Sequence, residues 1–145
     1  MSEFTTVTRH RDKVTLAWLA GVLGVFSIHW WYLGRPHAWV MTAFSVTMLV
    51  LAQFHPVWWD NVPFLLLFLP VSAGIIEALV FALTTDEKFD ARYNPHSGQK
   101  TKTGWDAVIA AIVTTFIGGA IMVFGLAMAV IYLYKAMGWL DGYVF

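Results

Sequence analysis

Residues 21–35 read Gly-Val-Leu-Gly-Val-Phe-Ser-Ile-His-Trp-Trp-Tyr-Leu-Gly-Arg. They close an apolar run that begins at Val14, and they end in aromatics and a Gly-Arg pair where a plain membrane anchor needs only leucine. At about 100° per residue, Ala17, Gly21, Gly24, Ile28 and Tyr32 share one helix face, a strip where a second backbone can approach closely. His29 sits beside this strip near the end of the run, where a polar ring in hydrocarbon needs a partner or a route to the interface. The stretch predicts one membrane span, Val14 to Leu33, about 30 Å long as a helix. Trp30, Trp31 and Tyr32 then form an interfacial belt at its far end, and Gly34-Arg35-Pro36 breaks the helix.

Outward from this stretch, the composition supports the same environment. The chain has 145 residues, 59% hydrophobic and 12% charged, more apolar surface than one water-soluble core of that size can hide. Between Val14 and Leu83 the charged residues are Arg35, Asp60 and Glu77, and none lies between Asp106 and Lys135. A formal net charge of zero argues against nucleic acid as a partner. The lack of cysteine removes disulfides and thiolate metal sites. No Ala-x-Ala-like site follows the basic start, so the first span reads as uncleaved.

Three further spans are predicted. The second covers Ala38 to Phe54, with Thr42, Ser45 and Thr47 bonding their own helix backbone. The third covers Pro63 to Leu83, opened by Asp60 or Asn61 as a cap, kinked by Pro70, and carrying Glu77 as its one deep ionisable residue. Thr84-Thr85-Asp86-Glu87 has the form of a capping box and starts a short polar helix to about Arg92, whose Phe89 and Tyr93 make one sticky face. Asp86, Glu87 and Asp90 read as a solvated face paired with Lys88 and Arg92. The fourth span, Trp105 to Tyr134, repeats small residues at Ala107, Ala111, Thr115 and Gly119, a second packing strip. The fold class that follows is all-α: a membrane bundle of four hydrophobic helices with a short interfacial helix between the third and fourth. Four crossings nearly balance the basic residues on the two sides. A re-entrant stretch over 36–61 would put the N-terminal basics and the Lys88 loop together, as the positive-inside rule prefers.

The phrase Leu23-Gly24-Val25-Phe26-Ser27-Ile28-His29-Trp30-Trp31-Tyr32-Leu33-Gly34-Arg35 resembles the signature of TM2-domain membrane proteins. In that signature a glycine-containing helix ends in a His, an aromatic pair and Leu-Gly-Arg or Leu-Gly-Lys. Gly74-Ile75-Ile76-Glu77, followed by Thr84-Thr85-Asp86-Glu87-Lys88-Phe89-Asp90-Ala91-Arg92-Tyr93-Asn94, is similar to the later helix and polar segment of bacterial members. The resemblance covers Lys13 to Asn94; within it Ser27 stands where glycine is usual, Trp30 where a basic residue is common, and Trp31 where phenylalanine is usual. It implies a small integral membrane protein of a bacterial inner membrane and supplies no reaction. The chain then divides into a polar N-terminal segment (1–12), a TM2-like membrane unit (13–94), a polar loop (95–104), and an additional transmembrane helix with a short tail (105–145).

Function follows from what the spans carry. His29 and Glu77 form a candidate polar clasp, flanked by the packing residues Gly21, Gly24, Ala111, Thr115 and Gly119 and by the interfacial signature Trp30, Trp31, Tyr32, Gly34 and Arg35. No nucleophile with a base beside it, phosphate loop or metal-ligand spacing is present. The expected function is non-enzymatic, an accessory or assembly subunit that contacts lipids, other integral membrane subunits or its own copies, without a cofactor. An oligomeric proton or small-ion channel centred on Glu77 and His29 is the alternative. A haem- or quinone-binding redox subunit, using His10, His29, His37, His55 or His96, is the third.

Overall fold

The computed structural model describes residues 9–143, so most of the expected polar segment 1–12 and the last two residues of the tail lie outside the described residues. Every regular element among the described residues is helical. They are α1 (Lys13–Leu23), α2 (Ile28–Leu33), α3 (Ala38–Gln53), α4 (Val62–Leu66), α5 (Phe68–Leu83), α6 (Asp86–Tyr93), α7 (Trp105–Val113) and α8 (Gly119–Ala136). Two helical stretches are long and apolar enough to cross a membrane, not four: α4–α5 over Val62–Leu83 and α7–α8 over Trp105–Ala136.

The expected first span is the main correction. Asp12 caps α1 by accepting the Thr15 N–H at 2.6 Å, but the helix stops at Leu23. One 3-10 turn over Gly24–Phe26 and a left-handed Ser27 (φ 55°) follow, and α2 then runs back toward the start of α1. The return is fixed by Arg11, whose Nη2 donates to Leu33 O at 2.8 Å. Residues 13–33 therefore form a helical hairpin with both ends on one side. The break frees carbonyls that a continuous helix would satisfy, and α3 supplies donors for them. Ser45 Oγ donates to Val25 O, and Thr42 Oγ1 donates to Phe26 O at 2.7 Å. Of the hydroxyls expected to bond their own helix backbone, Thr42 also does so, to Ala38 O at 3.1 Å.

Helix α2 ends in a Schellman turn: Gly34 N–H donates to Trp31 O and Arg35 N–H to Trp30 O, both at 3.0 Å, with Gly34 at φ 68°. Helix α3 starts at this end and finishes near Asn61, whose Nδ2 donates to Val57 O at 2.9 Å while its Oδ1 caps α4 through the Phe64 N–H. The interruption between α4 and α5 falls at Leu67, just ahead of Pro70. Proline lacks the N–H that would bond Leu66 O and its ring crowds that carbonyl, so the ladder opens one turn earlier.

Helix α5 runs antiparallel to α1, with Lys13 beside Thr84 and Gly24 beside Gly74. A Cβ on Gly24 would lie 2.7 Å from Gly74 Cα, so the two backbones touch there. Gly21 meets Ala78 and Thr114 where α1, α5 and α7 converge. The expected row on the last helix is displaced. Ala107 and Ala111 are buried, but Thr115 is exposed and Gly119 faces open space. The packing positions are Thr114, Gly118 against Ile75, and Gly125 against the Phe68 ring. Between α7 and α8 the chain makes a π turn over Thr114–Gly118.

Phe89 of α6 is fully buried, and its ring lies 5.0 Å from Tyr93, which in turn edges onto Phe81. That face packs on the bundle. Thr85 is the N-cap residue of α6 but makes no side-chain cap, so the expected capping box does not form.

Candidate functional site

Glu77 lies six residues inside the end of α5, about 9 Å along the helix. The hairpin brings three donors to it. His29 Nε2 lies 2.7 Å from Oε2, Trp30 Nε1 donates to Oε2 at 3.0 Å, and Arg35 Nη1 donates to Oε1 at 2.9 Å and Oε2 at 3.2 Å. The Arg35 guanidinium also stacks over the Trp30 ring at 4.9 Å. His29 is 2% exposed, edged by Trp30 and Phe81, and its Nδ1 has no hydrogen-bond partner. With Nε2–H facing the carboxylate, Nδ1 presents a lone pair to apolar neighbours, a smaller desolvation cost than an unpaired donor.

This cluster joins α2, the Schellman turn and α5 through one carboxylate. Arg35 offsets its charge, and His29 and Trp30 fill its remaining directions, so Glu77 is a fastening point rather than a free acid or base. Of the expected interfacial signature, Trp30 and Arg35 turn inward to Glu77. Trp31 is half-exposed and donates Nε1–H to Thr42 Oγ1 at 2.9 Å, and the Tyr32 hydroxyl accepts the Asp12 N–H at 3.1 Å. All three aromatics lie at the same end as Lys13, not at the far end of a span.

A second polar cluster seals that end. Lys13, 3% exposed, sends Nζ to Thr84 O at 2.6 Å, Asp86 Oδ1 at 2.8 Å and Thr103 Oγ1 at 3.3 Å. Thr103 donates its N–H and hydroxyl to Asp86 at 2.8 and 2.6 Å. Thr101 donates likewise to Asp90, its N–H at 2.7 Å, and Asn94 Nδ2 reaches Asp90 at 2.9 Å. Asn94 also grips the Arg11 backbone through both its N–H and its carbonyl. Desolvation pushes the Asp86 pKa up, but hydrogen bonds from Lys13 and Thr103 and the Lys13 charge outweigh it and hold the group at about 2. Asp90 is lowered on the same balance, desolvation opposing the bonds from Asn94 and Thr101. Asp86 and Asp90 are therefore anchors for the 94–104 loop, not part of a self-paired face, whereas Glu87 is exposed.

Sequence reasoning missed Arg35, Trp30 and Gly74 as working partners, together with Lys13 and Asn94. One signal was available: in the long apolar stretch Arg35 is the lone cation and Glu77 the lone deep acid. Among the described residues, no group of three His, Asp or Glu side chains is placed to hold a metal ion. His10 is engaged with Ser97 and Thr101. No family model, curated protein or solved structure matches this chain.

Proposed function

We propose that this chain is a small non-enzymatic integral membrane protein of the TM2-like kind, an accessory or assembly subunit seated in a bacterial inner membrane. In this reading α4–α5 and α7–α8 cross the bilayer, the α1–α2 hairpin enters and returns on the cytoplasmic side, and α3, shorter than a full span, leads from that side to the start of α4. The observation that carries the assembly role is α8. Beyond Gly125 little of it is covered, and Val123, Phe124, Leu126 and Leu133 are more than half exposed, an apolar face left for lipid or another membrane subunit. The orientation is supported by charge. Arg9, Arg11, Lys13, Arg35, Lys88, Arg92, Lys100 and Lys102 gather at the end where α1 begins, whereas Lys135 pairs with Asp60 at the other at 2.8 Å.

Native mass spectrometry of gently solubilised material tests the role. A homo-oligomer or a defined complex with a larger membrane protein is expected, with the interaction weakened by Phe124→Ser and Leu126→Ser. A monomer that retains its cellular function would overturn it. The channel alternative rests on Glu77 as a titrating relay, which the three donors around it disfavour; proton flux in liposomes that disappears in Glu77→Gln while the fold persists would favour it instead.

A further inference from the structure

At the basic end, residues 9–11 and the end of α2 border a cleft of about 430 Å³ lined by Arg9, Arg11, Trp31 and Tyr32. We infer that this cleft holds the phosphodiester headgroup of an anionic phospholipid, with the two arginines on the phosphate and the aromatic rings against its glycerol and first acyl carbons. The inference rests on the membrane placement proposed above. Four features of the cleft lead to it.

The first is uncompensated charge. Lys13, Arg35 and Lys135 each have a carboxylate partner. Arg11 has none among the described residues: its guanidinium donates to two neutral carbonyls, Leu33 O at 2.8 Å and Tyr93 O at 3.2 Å. Those bonds fix the planar group without neutralising it, and of five guanidinium N–H donors they leave three. Arg9 beside it is exposed and makes no ion pair among the described residues. The nearby Asp12 carboxylate is turned to the start of α1, where it accepts the Thr15 N–H at 2.6 Å.

The second is rigidity, since Trp31 is pinned through Thr42 and the Tyr32 oxygen through the Asp12 N–H, which leaves the phenol O–H to donate. The third is position: half-exposed Trp31 beside arginine, at the basic end of a bundle, has the composition of an interfacial belt facing anionic lipid. The fourth is size, because the volume lies within the range of pockets that hold small ligands. Two arginines favour an anionic headgroup over a zwitterionic one, whose cationic end they repel.

The test uses the full chain in detergent, titrated with dioleoylphosphatidylglycerol or dioleoylphosphatidylcholine and read by native mass spectrometry. The first phosphatidylglycerol is expected to be retained about tenfold more tightly than phosphatidylcholine, a difference of about 1.4 kcal/mol. Arg9→Gln should remove that preference without changing thermal stability, and Arg9→Lys should keep part of it. Arg11 also holds the hairpin, so Arg9 is the cleaner position. Equal retention of the two lipids, or an unchanged preference in Arg9→Gln, would overturn the inference, as would displacement of the lipid by millimolar inorganic phosphate, which would assign the cleft to a soluble anion. Failure of the chain to float with phosphatidylcholine vesicles would instead remove the membrane placement itself.

Discussion

Ser27 and Glu77 are the two residues on which the hairpin depends. Ser27 holds φ 55°, a region that costs a non-glycine residue about 1 kcal/mol. Ser27→Gly is therefore expected to raise stability by up to about 1 kcal/mol, read as an increase in the thermal midpoint in detergent; a decrease would mean that the serine side chain contributes more than the backbone costs. Glu77 acts in the opposite direction. Replacing it with Ala leaves His29, Trp30 and Arg35 without their acceptor and should cost about 3 kcal/mol, while Gln, which keeps one acceptor oxygen, should cost less. Midpoints of both variants equal to that of the unsubstituted chain would show that the cluster does not hold the fold. Sequence paired His29 with Glu77 through a simple argument about burying charge. It left Arg35 at the interface because a straight helix over 14–33 carries that arginine away from α5.

At the scale of elements, the crossing of α1 and α5 is set by two glycines, each of which blocks a side chain on the other. Gly74→Ala would place a Cβ 2.6 Å from Gly24 Cα and 2.7 Å from Ala20 O, backbone atoms that cannot rotate away. A loss of about 3 kcal/mol, the upper part of the overpacking range, is expected. Gly119→Ala, facing open space, should be neutral or stabilising by about 0.5 kcal/mol. The reverse ranking would mean that the small-residue row read from sequence, and not the observed face, makes the contact. Helix positions were legible because long uncharged runs and caps such as Asn61 signal them locally. The break at Gly24–Ser27 was not, because no proline marks it and its stabilising donors, Thr42 and Ser45, lie on another helix.

For the whole molecule, the cap that joins residues 10–13, α6 and the 94–104 loop has a defined acid limit. Asp86 and Asp90 titrate below their ordinary values, so their contribution is complete above about pH 4 and is lost as pH falls toward the Asp86 value of about 2. Proteolysis within 95–104 should stay slow down to about pH 4 and accelerate below it. In Lys13→Gln that onset should move to higher pH; an unchanged onset would separate Lys13 from the titration. Sidedness is equally measurable, because the chain has no cysteine. Single cysteines at Arg9 and Gln99 should react with an impermeant maleimide from the same side and one at Val57 from the other, whereas four full crossings would place Arg9 with Val57. The hairpin also has a consequence for the order of synthesis. Residues 13–33 are translated long before Glu77, so the partner that fixes His29, Trp30 and Arg35 emerges only after two further helices. A nascent chain halted at Asn61 should accordingly be degraded by quality-control proteases, and one extended through Tyr93 should escape them.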